Sequence, residues 1–150
     1  MPTNRSMPAA AVIPVLVYED VSEAVEWLVD TFGFSERVRN GDRMAELTIG
    51  DGAVIVTERR VTQVLDSPDA TVLRPPRRGV VSHATVVRVD DVDAHYRKSR
   101  QTGARIVQAP EDKPWGERQY TVEDLAGHSW TFSQTIADVD PSNWGGELLG

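Results

Sequence analysis

The 150-residue chain contains no cysteine, which excludes disulfides, thiolate catalysis and cysteine-ligated metal sites. It has only three histidines, and no apolar run approaches the roughly 20 residues that a transmembrane helix needs. Its formal net charge of −7 argues against binding to a nucleic-acid backbone, which requires clustered lysine and arginine. We therefore expect neither a membrane nor a nucleic acid as a partner.

Catalytic motifs are also absent. The chain has no Gly-x-Ser-x-Gly sequence, no Gly-rich phosphate loop, and no histidine in a recognisable relation to a serine and an aspartate, so we expect no catalytic residue. The apolar segment 9–17 follows Arg5, as in a secretory signal, but Pro8 and Pro14 interrupt it and favour a β-strand. We therefore expect a cytoplasmic protein. Its acidity suits a cationic ligand, and it equally suits an ordinary soluble surface.

What the chain does have is a repeated pattern of secondary structure. A strand predicted over 11–18 leads into a helix over 21–32, which Asp20 caps and Gly33 ends. Strands predicted at 34–39, 43–49 and 53–58 complete the first copy. The second copy has a strand at 81–89, a helix at 92–102 that Gly103 ends, and strands at 104–108, 118–122 and 129–133. Each copy has the order β-α-β-β-β.

The repeat predicts an α+β fold of two tandem βαβββ modules, with a curved mixed sheet around a cavity and the helices on the outer face. The expected divisions are a flexible tail (1–10), the first module (11–58), a connector (59–80), the second module (81–134) and a C-terminal tail (135–150). The connector is long for a compact domain, so it is either functional or contains a short element. Trp144, an apolar residue in a polar segment, predicts that the C-terminal tail packs back.

The segment 114–128, Pro-Trp-Gly-Glu-Arg-Gln-Tyr-Thr-Val-Glu-Asp-Leu-Ala-Gly-His, resembles a known family. It is similar to the end of the second module in the glyoxalase/bleomycin-resistance/extradiol-dioxygenase superfamily, also called vicinal oxygen chelate proteins. There a Pro-Trp-Gly-x-Arg sequence leads into a strand and an Asp-Pro-x-Gly turn, and Leu125 here replaces the usual proline. The Asp90–Asp93 segment resembles the family's strand-to-helix junction, and the resemblance covers residues 11–134.

In enzymes of that superfamily, four positions on the concave sheet face hold a divalent metal. The resemblance places these positions on Ile13, Val56, Ala84 and Thr131. None is a good metal ligand, because only Thr131 has even a weak oxygen donor. An error of one residue would bring in His83 and Glu58, still fewer than the three or four ligands required. We therefore expect no metal and no cofactor, as in the resistance-type branch of the family.

Trp115 is the leading candidate for ligand contact. It follows a proline in a loop and offers a flat face for stacking on a planar or cationic molecule. The resemblance implies that an aromatic residue here lines the ligand crevice, and the alternatives are a lid over the core or a dimer contact. The candidate ligand-binding residues are Trp115, Arg118, Tyr120, Val15, Val86, Arg88 and His83.

The other candidates come from strand periodicity. Arg118 and Tyr120 alternate on one strand and share a face. Arg118 either orients a carboxylate or carbonyl of a ligand or pairs with Glu117 or Glu123, and Tyr120 lines either the cavity or the core. His83 is either a ligand or a general base, or a strand residue that faces solvent or hydrogen-bonds to the backbone. The residues expected to line the concave face are Ile13, Val15, Val17, Ala84, Val86 and Arg88. The residues expected to be structural or on the surface are Trp27, Trp130, His95 and His128.

Three functions remain open. The first is a metal-independent small-molecule binding protein that resembles the drug-sequestering, antibiotic-resistance branch and buries a planar or cationic compound in crevices of a homodimer. The second is a divalent-metal-dependent lyase, isomerase or dioxygenase of the glyoxalase type, or a metal-free relative of such an enzyme. The third is an auxiliary domain that acts through protein contacts, and no sequence feature favours it.

Overall fold

The computed structural model describes residues 2–150. Its helices and strands are β1 (Val15–Val17), α1 (Val21–Phe32), β2 (Ser35–Asn40), β3 (Met44–Ile49), β4 (Gly52–Thr57), β5 (Arg60–Gln63), β6 (Ala70–Leu73), β7 (Ala84–Arg88), α2 (Val92–Gln101), β8 (Arg105–Asp112), β9 (Glu117–Glu123), β10 (Ser129–Thr135) and a 3₁₀ helix (Pro141–Trp144). The fold is α+β, and the predicted order β-α-β-β-β is confirmed for both copies.

Helix α1 begins and ends at the predicted residues. The carboxylate of Asp20 accepts a hydrogen bond from the backbone N–H of Glu23 at 3.0 Å, which satisfies one free donor of the first turn. Gly33 ends the helix in the left-handed region, with φ at 86°. The buried residues of the helix recur at helical spacing and are Val21, Ala24, Val25, Leu28, Thr31 and Phe32.

Contacts divide the chain into two compact units. The first consists of the chain up to Val80 together with Leu125–His128. Its sheet has the strand order β1-β4-β3-β2, in which β1 runs parallel to β4 and the other pairs are antiparallel. Helix α1 packs on β3 and β4 and thereby defines the helix face of this sheet. The buried residues of the helix face are Leu16, Ala45, Leu47, Val54 and Val56.

The opposite face of the first sheet, its open face, contains a buried carboxylate. Glu46 is only 2% exposed, and its Oε1 lies 2.6 Å from Arg37 Nη1. Arg37 also donates through Nη2 to the carbonyl of Arg5 at 2.8 Å, and Pro8 is buried. Residues 2–14 form no helix or strand, and this contact attaches the segment to the first sheet.

The connector contains the short element that its length suggested. Strands β5 and β6 pair as an antiparallel hairpin in which all eight residues are exposed. Strand β1 is shorter than the predicted 11–18, because Pro14 has no N–H to extend the ladder, although its carbonyl still accepts from Ile55 at 2.9 Å. Strand β8 is longer than predicted and continues to Asp112 through two register shifts against β9.

The second unit consists of Val81–Asp124 and Ser129–Gly150. Its sheet has the order β7-β10-β9-β8, with β7 parallel to β10 and the other pairs antiparallel. Helix α2 packs on β8, β9 and β10. The fully buried residues of that helix face are Tyr120, Val122, Trp130 and Phe132. Within residues 2–150, no helix combines the length and apolar character that crossing a membrane requires.

Candidate functional site

The candidate site begins with the face of the second sheet that α2 does not cover, which we call the open face of the second sheet. Side chains alternate along a strand, so the neighbours of the buried core residues point to this side. The residues of β9 and β10 that face each other across it are Glu117 and Thr135, Gln119 and Ser133, and Thr121 and Thr131. Strand β7 adds Val86 beside Thr131 and Arg88 beside Ser133.

Glu117 is the centre of a hydrogen-bonded cluster on this face. Its Oε1 accepts from Ser133 Oγ at 2.7 Å and lies 3.4 Å from Arg88 Nη2. Gln119 Nε2 donates to the same serine hydroxyl at 3.0 Å. Burial raises the pKa of Glu117, but hydrogen bonds from Thr135 and Ser133 and the charge of Arg88 outweigh it, so the pKa lies below the ordinary 4.5. The cluster therefore holds a fixed, ionised carboxylate at neutral pH.

An aromatic pair lies next to this cluster along the chain. Trp115 and Trp144, which we call the tryptophan corner, meet edge to face with ring centroids 6.1 Å apart and an interplanar angle of 69°. Trp115 is 43% exposed and Trp144 is 44% exposed, so each ring keeps part of its surface open to solvent. The 3₁₀ helix thus brings the C-terminal segment back against the β8–β9 loop, as the apolar Trp144 had suggested.

Hydrogen bonds hold the β8–β9 loop that carries Trp115. The N–H of Lys113 donates to the carbonyl of Glu117 at 2.7 Å, and the N–H of Gly116 donates to the carbonyl of Lys113 at 3.1 Å. The carbonyl of Gly116 accepts from Ile136 and Ala137 at 2.8 and 3.2 Å. These bonds position the loop relative to the segment after β10, and therefore position Trp115.

The predicted ligand-binding residues are divided between the two units. Val86 and Arg88 lie on the open face of the second sheet. His83 is exposed and immediately precedes β7. Val15 belongs to the first unit, where it lies exposed at the edge of the first sheet.

Tyr120 lies on the helix face in the core of the second unit, which is one of its two predicted places, and not on the open face. The side chain is fully buried, and its hydroxyl contacts His95 Nδ1 at 2.5 Å and Ser99 Oγ at 2.8 Å. Burial raises the pKa of Tyr120 to about 12. His95, expected on the surface, instead points inward and lies against Phe132, with ring centroids 4.0 Å apart. Together they form a polar contact inside an aromatic core.

Arg118 shares the helix face with Tyr120, as predicted, and forms two ion pairs there. Its Nε lies 3.0 Å from Asp93 on α2, and its Nη1 lies 2.9 Å from Asp112 on β8. These hydrogen bonds raise the pKa of Arg118 further above its ordinary value. The expected pairing with a carboxylate is confirmed, but the partners are Asp93 and Asp112 rather than Glu117 or Glu123.

The positions that hold a metal in related enzymes carry no ligand set here. Thr131 and Ala84 lie on the open face of the second sheet. Val56 was assigned one residue out of register: it pairs with Leu16 on the helix face, and Ile55, which pairs with Val15, occupies the open-face position. Within residues 2–150, no group of three or more histidine, aspartate or glutamate side chains could hold a metal ion.

Two residues expected to be structural are confirmed as such. His128 is buried, and its Nε2 lies 2.8 Å from the carbonyl of Val17. Trp130 donates from Nε1 to Asp124 Oδ2 at 3.0 Å inside the core. Sequence reasoning missed Glu117, Gln119 and Ser133 as site residues. The alternation of polar and apolar residues in β9 could have shown that the first two share a face opposite Tyr120.

Comparison with known proteins identifies a family and structures that share this fold. The model of the Glyoxalase/Bleomycin resistance protein/Dioxygenase superfamily matches residues 11–132. The crystal structure of TioX from Micromonospora sp. ML1 is 37% identical, with a TM-score of 0.65, and the match covers 85% of this chain and 100% of that one. An uncharacterized protein of Mycobacterium bovis is 32% identical over 135 residues, which covers 87% of this chain and 86% of the relative. TnmS3, an antibiotic binding protein from Streptomyces sp. CB03234, is 22% identical with a TM-score of 0.62, and the match covers 86% of this chain and 98% of that one.

Proposed function

Because this chain belongs to the Glyoxalase/Bleomycin resistance protein/Dioxygenase superfamily, we propose that it is a metal-independent binding protein for a flat, positively charged organic molecule. The observation that carries the proposal is the half-exposed tryptophan corner, in which Trp115 lies two residues before Glu117 and its ionised cluster along the chain. Binding would be reversible, with no covalent step.

The two parts of the site supply complementary interactions. The face of an indole ring attracts a cation, and a flat ligand adds stacking area to that attraction. The Glu117 carboxylate supplies the counter-charge, and its partners Ser133 and Arg88 keep it oriented. Arg88 neutralises part of this charge, but its side chain is 71% exposed and pairs at 3.4 Å, so a ligand cation can displace it at low cost.

TnmS3, which has a similar fold, is an antibiotic binding protein. Planar antibiotics are therefore a class of compounds to screen as ligands of this protein.

We further propose a cytoplasmic homodimer. In support, β1 and β2 are the edges of the first sheet, and β7 and β8 are the edges of the second. Edge strands that carry unpaired backbone groups favour association with another strand.

Binding of a planar cation tests the site. We expect proflavine to bind in a fluorescence titration and to raise the melting temperature, whereas uncharged anthracene-type analogues bind more weakly. Trp115→Ala should weaken proflavine binding by about tenfold, because cation–π contact and stacking together are worth about 1–2 kcal/mol. Glu117→Gln should weaken it similarly. In the parent protein, affinity should be lost only as Glu117 protonates, and because its pKa is lowered this loss should need a lower pH than an ordinary glutamate would.

The matched control is Glu26→Gln, which removes the same charge from an exposed position on α1. It should leave the affinity for proflavine unchanged. If Trp115→Ala and Glu117→Gln both bind proflavine as tightly as the parent protein, the proposed site is wrong. If Glu26→Gln weakens binding equally, the effect comes from overall charge and the site is again not supported.

Metal content separates this proposal from the enzymatic alternative. We expect protein purified without chelator to contain far less than one equivalent of nickel, zinc, manganese or iron, and EDTA to leave proflavine affinity unchanged. The reason is that the open-face positions Ala84, Ile55 and Thr131 offer at most one weak oxygen donor. A stoichiometric metal, measured by elemental analysis, would instead support a lyase, isomerase or dioxygenase.

A further inference from the structure

A pocket lies in the first unit, at the point where the chain leaves β4 and enters the connector. Its volume is about 470 Å³, which lies within the range of small-molecule sites. The residues that line it are Asn40, Arg43, Met44, Thr57, Glu58, Arg59, Arg60, Val61 and Thr62. We call it the arginine pocket. None of these residues belongs to the tryptophan corner or the Glu117 cluster.

The charge of the arginine pocket is opposite to that of the whole protein. Three arginines and one glutamate line it, so its formal charge is +2 in a chain of net charge −7. The nearby Asp42 does not line the pocket, and its carboxylate accepts from Ser22 Oγ on α1 at 2.5 Å. Such a local concentration of arginine attracts anions, and an anion would reduce the repulsion between the guanidinium groups.

The arginines also retain free donors. Arg43 pairs with Glu58 at 3.5 Å, and both side chains are largely exposed, so this ion pair is weak. Within residues 2–150, no carboxylate lies within ion-pair distance of Arg59 or Arg60. Arg59 and Arg60 both line the pocket, and each guanidinium group offers paired N–H donors in the geometry that suits carboxylates and phosphates.

Other residues that line the arginine pocket are apolar. Met44 and Val61 line the pocket, and Val61 is largely exposed. Thr57 is buried at its base, where its hydroxyl donates to the carbonyl of Arg43 at 3.4 Å. We propose that the arginine pocket binds an organic anion, a carboxylate or phosphate attached to a small apolar group. This site goes beyond the proposed cation site and is independent of it.

The test uses defined probes and two charge-matched variants. Naphthoate and naphthyl phosphate carry the two possible head groups, naphthamide lacks the charge, and inorganic phosphate lacks the apolar group. Binding is followed by backbone amide NMR shifts in ¹⁵N-labelled protein. We expect naphthoate or naphthyl phosphate to shift the amides of residues 57–62. The variant Arg59→Gln/Arg60→Gln should weaken that binding by about tenfold or more, because it removes charge-assisted hydrogen bonds.

The control variant is Arg74→Gln/Arg77→Gln, which removes the same charge from the same connector outside the pocket. It should retain the affinity of the parent protein. The proposal is overturned if neither organic anion binds, if naphthamide binds as tightly, if inorganic phosphate matches naphthyl phosphate, or if the control variant loses as much affinity. Because Glu117→Gln leaves every pocket residue intact, this test and the proflavine test can fail separately.

Discussion

Replacing Trp130 by alanine is expected to lower the free energy of unfolding by about 3–5 kcal/mol, the usual cost of truncating a large buried aromatic residue. Trp130 is fully buried and stacks on Phe132, with ring centroids 6.3 Å apart. Its indole N–H also satisfies Asp124, a carboxylate that is itself buried. The variant therefore leaves a cavity and removes one hydrogen-bond donor from a buried carboxylate. Urea denaturation, followed by circular dichroism, measures the change.

Two further variants separate the causes. Trp130→Phe keeps most of the packing but removes the donor to Asp124, so we expect a smaller loss of about 1–3 kcal/mol. Trp144→Ala removes the same residue type from a half-exposed position and should cost less than either. If Trp130→Ala and Trp144→Ala cost the same, the core of the second unit is not organised as described.

Trp130 also shows why the fold could be predicted so fully. The helices and strands depend on local signals: Asp20 and Asp91 cap the two helices, and Gly33 and Gly103 lie just past their ends in the left-handed region. Such signals act within a few residues of the chain. Alternation within β10 then placed Trp130 correctly on the helix face. The repeat doubled the evidence, because each half predicted the same order independently.

The site was harder to predict, because a face cannot be assigned from one strand alone. Alternation showed that Arg118 and Tyr120 share a face, but not that α2 covers it. The deciding partners, His95 and Ser99, lie over twenty residues away. Val56 illustrates the same limit, since an error of one residue moves a side chain to the other face. Only the pairing with β1 shows that Ile55 occupies the open face.

The arginine pocket could not be predicted for a different reason. Its residues come from the β2–β3 turn, the end of β4 and the connector, so no single stretch of sequence contains it. The run Glu58-Arg59-Arg60 resembles any charged surface segment when taken alone. The hairpin of β5 and β6 directs the chain so that Arg59 and Arg60 lie beside Arg43. The positive charge of the arginine pocket therefore depends on how the connector folds.

Gly116→Ala is expected to destabilise the protein by about 3 kcal/mol or more and to weaken proflavine binding as well. Gly116 has φ at 85°, in the left-handed region that side chains other than glycine adopt at a cost. An added Cβ would also lie 2.4 Å from the carbonyl oxygen of Ala137 and 3.0 Å from Val139 Cγ2. Because the nearest atom is backbone, the segment after β10 must move, and the hydrogen bonds of Ile136 and Ala137 to Gly116 weaken.

Gly103→Ala is the matched control, because Gly103 has nearly the same φ, 82°, but no atom within 4 Å of the added Cβ. Gly103→Ala should lower the free energy of unfolding by only about 1–2 kcal/mol, the cost of placing alanine in the left-handed region. It should leave the affinity for proflavine unchanged. The difference between the two variants in urea denaturation isolates the contact between the β8–β9 loop and the segment after β10. That contact holds Trp115 and Trp144 together, so a Gly116→Ala protein that binds proflavine normally would show that the tryptophan corner does not form the site.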